Sequence, residues 1–538
     1  MIVIGGGHNG LTCACYLAGA GLGVTVLERG PELGGCIYTL NLKDPPARLE
    51  VGGYEHGGLR ASGVSAELEL ESKWGLRMIE RDELLYAPCD DGTGLAFHSD
   101  LDHTADLLAR VVGKAEAERY RAFSRWARPG AQLIAMLGGR VPPSIRELVA
   151  LADMALGNEG PRLIQTFLSS ASSVLRNSFG DERLRGALGQ WAANAQQSPA
   201  DPGTGAGTLL LAAMHGCKSV RPAGGSRSTT EALARCLQGR GGRIRTSAPV
   251  DRIEVARGRA VAVHIDGSRL VARQGIVSSI DPRRLFDRLV AEADVPPAIR
   301  VEIDQIHSGI RNVAELKIDA LIDGEPPAVS VPRFERSFIV SANTLTDLER
   351  AFARISLGNL PERPPLMMAV PSALEAGWAP PGRNVLWVQT RVPWQPDGWS
   401  WDTGGLESAA RRAWGTVERA FGHHLDVVEW RVTGPPQWLE RIGGTSGNPN
   451  HVDMSIDQLL DMRPSPSLSR YRTPIPGLYL TGAGTHPGGG ISGLSGRNTA
   501  RQILIDAHLA RRHTYAHVRE QVALLRDAVR AVRALRAS

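Results

Sequence analysis

Cysteine is scarce in this chain, with six in 538 residues. That is too few to staple a protein of this length, so a disulfide scaffold is excluded. Cys13 and Cys15 stand two apart on a stretch that reads as helix, and no Cys-x-x-Cys or Cys/His cluster has zinc spacing. No metal is expected, and the thiols read as reduced, packed apolar groups. Long hydrophobic runs are missing too: no stretch of about 18 apolar residues occurs, and no basic segment followed by an apolar one opens the chain. The expected location is cytoplasmic, with membrane association as a variant. The formal charge of +5 is spread thinly and the body carries no Lys/Arg block, so no nucleic-acid partner is expected. Lysine itself is rare, confined to Lys43, Lys73, Lys114, Lys218 and Lys317. What is present is ordinary: 42% hydrophobic and 22% charged residues suit a globular enzyme. The length predicts two or more interleaved lobes.

The first residues carry the clearest signal. Ile2-Val3-Ile4 is a β-branched apolar strand without a polar break, as for a buried parallel strand. It enters Gly5-Gly6-Gly7-His8-Asn9-Gly10, which has Gly-x-Gly-x-x-Gly spacing at Gly5, Gly7 and Gly10. In such a motif the first glycine permits the turn, the second leaves room for a pyrophosphate and the third lets helix and strand approach. Leu11 to Ala20 reads as a small-residue helix whose positive end faces the phosphates. A second strand, Val24 to Leu27, ends on Glu28, which lies 18 residues after Gly10 and is placed to accept ribose hydroxyls. Strand, glycines, helix, strand and acid in this order predict an α/β, Rossmann-like dinucleotide-binding domain.

After Glu28-Arg29 come Gly34-Gly35, Thr39 and the block Glu50-Val51-Gly52-Gly53-Tyr54-Glu55-His56-Gly57-Gly58. With this continuation the chain resembles the FAD-dependent amine oxidase and phytoene desaturase superfamily. The resemblance implies FAD rather than NAD, with Gly34-Gly35 along the pyrophosphate and the Gly53, His56, Gly57 block close to the flavin. It extends through Pro222-Ala223-Gly224-Gly225-Ser226 and Val250-Asp251-Arg252-Ile253, where the backbone at Val250 is implied to contact adenine. Downstream, Gly477-Leu478-Tyr479-Leu480-Thr481-Gly482-Ala483-Gly484-Thr485-His486-Pro487-Gly488-Gly489-Gly490-Ile491 is a buried strand ending in a glycine-dense turn before a helix. This block is similar to the flavin-binding motif of bacterial phytoene desaturases and of the pyridine nucleotide-disulfide oxidoreductase domain-containing branch. Such a turn aims backbone N–H groups at the charge of a reduced flavin. The resemblance therefore adds His8, Asn9, Gly482, Gly484, Gly490 and Ile491 to the implied FAD contacts. Amine oxidases carry an acid in the turn where Ala483-Gly484 stand here, and desaturases lack it. The amine-oxidase lysine beside flavin N5 has one counterpart by position, Lys317.

The remaining chain predicts a mixed-sheet plus helical substrate domain. Residues 100–215 read as mainly helical, with Leu133, Ile134, Leu137, Leu148, Leu151, Leu163 and Phe167 at three-to-four spacing as core or channel positions. Expected segments are 1–100, 216–285 and 436–510 for FAD, 101–215 for a helical substrate or lid region and 286–435 for substrate. Residues 511–538 are expected as a basic amphipathic helix with the seam Val518, Val522, Leu525, Val529 and Val532. That helix would pack on its own body, on a second subunit in a homodimer, or on a membrane surface. Trp378, Trp387, Trp394, Trp399 and Trp401 are expected as an aromatic wall for substrate or as core and loop aromatics. Gly203 to Gly207 and Gly239 to Gly242 do not follow strands as a second nucleotide site requires. The expected activity is therefore dehydrogenation or desaturation of an organic substrate, carotenoid-like, apolar or a secondary metabolite. Hydride passes to flavin N5, with oxygen or a quinone as the acceptor that reoxidises FAD. The alternatives are an amine oxidase releasing hydrogen peroxide and a flavin-bound scaffold without turnover. His56, His451, Asp453 and His486 are catalytic candidates by position, each with a structural alternative.

Overall fold

A computed structural model describes residues 1–325, 329–341 and 344–507; the amphipathic seam from Val518 to Val532 lies outside these. A five-stranded parallel sheet forms the first lobe, in the order Leu478–Leu480, Ile276–Ser278, Ile2–Ile4, Thr25–Leu27, Arg243–Arg245. The amino-terminal strand is thus central, which is why it shows no polar alternation. Helix His8–Gly19 follows it, with Leu11, Cys13, Ala14, Cys15 and Leu17 all fully buried. Helices Arg227–Gly239 and Leu494–Asp506 flank it. The last crosses so closely that a Cβ on Gly496 would stand 2.2 Å from the Asn9 carbonyl oxygen. An antiparallel meander, Arg252–Ala256, Arg259–Ile265 and Ser268–Val271, completes this lobe.

The second lobe is built on a seven-stranded mixed sheet in the order Val427–Thr433, Val313–Asp323, Arg383–Pro393, Leu366–Ala369, Phe338–Val340, Glu83–Pro88, Gly94–His98. Strands Val313–Asp323 and Arg383–Pro393 pair along their whole length, from Val313 opposite Pro393 to Asp323 opposite Arg383. Leu316, Ile318, Ala320 and Ile322 pack one face against helix Thr403–Phe421 through Ala409, Ala413 and Val417. Glu315, Lys317 and Asp319 occupy the opposite face and are buried as well. Strands Glu83–Pro88 and Gly94–His98 fall in the 1–100 segment assigned above to FAD, yet they hydrogen-bond into this larger sheet. Both faces of Glu83–Pro88 are covered, so its apolar run carries no sign of which sheet it joins.

Between the lobes stand seven helices, Leu101–Val112, Lys114–Gly138, Ile145–Leu156, Gly160–Leu168, Ala171–Ser178, Glu182–Ala192 and Gly205–Met214. Leu133, Leu137, Leu148 and Leu163 lie in their shared core with Phe338 and Trp387, and Ile134, Leu151 and Phe167 border it. The five tryptophans do not share one wall. Trp387 and Trp378 are buried core residues, whereas Trp399 and Trp401 meet edge to face at 4.7 Å and Trp394 borders the helix-covered side of the sheet. Among the described residues no helix is long and apolar enough to cross a membrane.

Candidate cofactor cleft

A cleft of about 650 Å³ opens at the carboxyl ends of the parallel strands, where open α/β sheets place ligands. Its lining brings together Gly5, Gly7, His8, Asn9, Glu28, Arg29, Gly34, Gly35, Val250 and Gly482, residues drawn from both ends of the chain. Gly5 holds φ +100°, a left-handed value that favours glycine, and its N–H donates to the Leu27 carbonyl at 2.8 Å. Gly7 caps helix His8–Gly19, and nothing lies within 4 Å of where its Cβ would be. Gly35 stands beside it, its own Cβ position 3.5 Å from the Gly7 Cα. Two bare backbone turns therefore meet at the positive end of a buried helix, a cradle for phosphate oxygens. Gly10 has the packing task, since a Cβ there would sit 2.3 Å from the Gly5 carbonyl oxygen.

Glu28 accepts Gly6 N–H on one carboxylate oxygen at 2.7 Å and Gly30 N–H on the other at 2.8 Å. Each oxygen keeps a lone pair for a ribose hydroxyl. Val250 comes alongside because Ala248 N–H donates to the Glu28 carbonyl at 2.8 Å. Arg29 turns its guanidinium to the Glu440 and Arg441 carbonyls, and Arg441 in turn donates to the Gly35 carbonyl at 3.1 Å and stacks on Tyr38. Arg284, Arg288 and Arg441 also line the cleft and were invisible to motif reading. With Arg29 they face only two acids of the lining, Glu28 and Asp251, an excess that suits a dianion. Among the described residues, buried Asn9 Oδ1 and His451 Nδ1 have no hydrogen-bond partner. The glycine cradle, the ribose-facing acid, the arginine excess and the unpaired buried atoms all fit the adenosine and pyrophosphate portions of FAD.

The other implied contacts gather at a second junction. A Cβ on Gly53 would lie 2.5 Å from Ile491 Cδ1, and one on Gly58 would lie 2.9 Å from the Ile491 carbonyl oxygen. Gly57 and Gly490 have open space where a side chain would go. Gly484 lines neither region; it is pressed against Pro282 and His451. The Gly482 turn is pinned by its own N–H, which donates to Ser495 Oγ at 2.9 Å.

Of the four catalytic candidates, only His451 lines the cleft, where it holds φ +60°. His56 is enclosed, with Nδ1 2.8 Å from Thr229 Oγ1, and burial pulls it down to about 3. His486 bonds the Leu137 carbonyl at 3.1 Å through Nε2, joining the glycine turn to a helix, and burial pulls it down to about 4. Asp453 accepts Gly309 N–H at 2.7 Å, Ile310 N–H at 3.0 Å and Asn448 Nδ2 at 3.0 Å. Those bonds give it a loop-anchoring task. Fully buried Lys317 bonds Asp319 Oδ1 at 2.5 Å and sits 4.8 Å above the Trp387 ring. The Trp387 indole donates to the Gly52 carbonyl at 2.8 Å. Lys317 is therefore one ring away from the Gly52-Gly53 backbone. Burial lowers the Lys317 ammonium and raises Asp319 to about 6.

One buried cation had no sequence signal at all. Arg463 is fully enclosed and donates to the backbone carbonyls of Ala483, Asn450, Val452, Asp453 and Gln458. It fastens the loop bearing His451 beneath the turn bearing Ala483. Among the described residues no cluster of three or more His, Cys, Asp or Glu could hold a metal ion.

Comparison with known proteins agrees with this geometry. Residues 3–58 match an NAD(P)-binding Rossmann-like domain model, and residues 152–504 match the model of flavin containing amine oxidoreductases. The mouse (Mus musculus) pyridine nucleotide-disulfide oxidoreductase domain-containing protein 2 is 28% identical, over 94% of this chain and 93% of its own. Hydroxyneurosporene desaturase of Cereibacter sphaeroides is also 28% identical, over 94% and 97%. In fold, the chain is similar to the crystal structure of an oxidoreductase from Methanosarcina mazei, with a TM-score of 0.60, 17% identity and coverage of 94% and 99%.

Proposed function

The chain belongs to the flavin containing amine oxidoreductases and is an FAD-dependent oxidoreductase; from that premise we propose that it is a dehydrogenase whose organic substrate reduces the flavin directly and introduces a double bond. Bound FAD supplies the hydride acceptor. In this reading Glu28 holds the adenosine ribose, and Gly7, Gly34 and Gly35 admit the pyrophosphate. Arg29 and Arg441 shape the cleft wall, and Val250 backs the adenine. The Gly482 turn and the Gly53, Gly57, Gly490 and Ile491 junction enclose the flavin end, with His8 and Asn9 between the two halves. The electron acceptor is oxygen or a quinone.

The carrying observation is that Gly205 and Gly239, in the two other glycine-rich stretches, are packed against neighbouring groups rather than left bare like Gly7. A Cβ on Gly205 would lie 2.1 Å from the Thr166 carbonyl oxygen, and Gly239 ends a helix with its Cβ position 2.2 Å from the Trp74 ring. Neither position can admit a pyrophosphate as Gly7 and Gly35 do, which favours reduction by the organic substrate over reduction by a nicotinamide cofactor. The similarity to a desaturase over nearly the full length of both chains supports carbon–carbon dehydrogenation. Buried Lys317, one ring from Gly52, favours a second reading, amine oxidation with release of peroxide.

The two readings separate in one experiment. The holoenzyme is incubated aerobically with a panel of amines and a panel of unsaturated isoprenoids and related alkenes. The leading reading predicts a product lighter by two hydrogens from the second panel and no peroxide above background from the first. Peroxide formed with amines alone would overturn it.

A further inference from the structure

The cleft contains two imidazoles that the dehydrogenation chemistry leaves unused. His8 is the first residue of the buried helix and rests against the Gly490 backbone. His451 projects from the loop before Asp453, nine-tenths buried, with Nδ1 partnerless. His8 Nε2 is likewise buried without a partner among the described residues, as is the neighbouring Asn9 Oδ1. All three residues line the cleft. The rings are close enough for a charge on one to be felt by the other. Three unpaired polar atoms around the positive end of one helix are costly to leave unsatisfied. An anion seated there would satisfy all but the Asn9 oxygen.

We propose that His8 and His451 form a proton-linked seat for the FAD pyrophosphate, so that the cofactor binds with uptake of a proton. The charged surroundings give the sign. His8 faces His451 and, deeper, His56. His451 faces Asp281 from the sheet side and Arg463 from below. The Asp281 carboxylate is engaged by the N–H groups of Arg283, Arg284 and Thr445 at 2.9, 3.2 and 2.7 Å. The hydrogen bonds of Arg463 go to backbone carbonyls, and Asp453 acts on it only through space. Around the mouth stand Arg29, Arg284, Arg288 and Arg441 against Glu28 and Asp251. In the protein alone, burial, with a smaller push from His451, holds His8 down at about 4, and burial, helped by Arg463 and opposed by Asp281, lowers His451. A pyrophosphate dianion reverses that balance and raises both. A group raised by a ligand draws protons in with it, so affinity grows as pH falls from neutrality.

The inference rests on FAD occupying this cleft, and the test separates the two. Apoprotein is titrated with FAD by calorimetry at pH 7 in two buffers of different ionisation enthalpy, and Kd is measured at pH 8 and pH 6. The expected results are fractional proton uptake and a Kd several-fold lower at pH 6, with about tenfold per pH unit as the ceiling for one proton. His8→Gln and His451→Gln should each reduce the uptake. Absence of FAD binding would refute the cleft assignment itself. Tight binding with no uptake, or uptake undiminished in whichever variant folds, would overturn the proton-linked seat alone. The wild-type measurement decides even where a variant fails to fold.

Discussion

Two glycines three residues apart answer to different forces. Gly7 has empty space where a side chain would project, and Gly10 has the Gly5 carbonyl oxygen 2.3 Å away. Gly7→Ala should therefore leave the melting temperature of the apoprotein unchanged while weakening FAD binding by an order of magnitude or more. Gly10→Ala should cost about 1–3 kcal/mol of folding stability. Urea unfolding and flavin-fluorescence titration measure the two effects separately, and an FAD defect without a stability defect at Gly10 would contradict the assignment. Arg463→Met keeps much of the volume but leaves buried carbonyls without a donor, which should destabilise the fold on the order of 3 kcal/mol. Gly5, Gly7, Gly10 and Glu28 were legible because their task is set by neighbours a few residues away. Arg463 and Arg441 were not, because each is made useful only by a loop from another part of the chain. His56, His486 and Asp453 read as chemical groups by position, yet their hydrogen bonds go to Thr229, Leu137 and the Gly309-Ile310 backbone.

At the level of strands and helices, burial on both faces removes the pattern that sequence reading relies on. Ile2–Ile4 was readable because a fully apolar run followed by glycines has one common meaning. Glu83–Pro88 is equally covered, and its sheet became clear only from pairing with Phe338–Val340. Strand Val313–Asp323 misleads in the other direction, since Glu315, Lys317 and Asp319 alternate like a solvated face. They are instead buried, with Glu315 3.1 Å from Arg391 and Lys317 2.5 Å from Asp319. Lys317→Met strands the Asp319 carboxyl in an apolar setting and should cost about 3–5 kcal/mol, much of it recovered by the double change Lys317→Met, Asp319→Leu. Denaturant unfolding of the three proteins checks this. The single variant, if it can be loaded with FAD, should still be reduced by substrate, whereas abolished reduction with intact folding would favour the amine-oxidase reading.

Across the whole molecule, widely separated parts of the chain build the first sheet. The amino-terminal turn supplies the dinucleotide cradle, the middle supplies strand Ile276–Ser278, and the last strand, Leu478–Leu480, pairs beside it to deliver the Gly482 turn. A chain ending before Gly477 loses the edge strand and helix Leu494–Asp506 together. It should purify without flavin even though its entire Gly5 to Gly10 motif is intact. Anaerobic reduction of the purified yellow holoenzyme, followed by its flavin absorbance at about 450 nm, tests direct reduction by substrate most directly. An organic substrate should bleach this band without any nicotinamide cofactor, and NADH and NADPH alone should leave it unchanged over the same time. Rapid bleaching by NADH or NADPH, with none by any organic substrate, would contradict direct reduction by substrate.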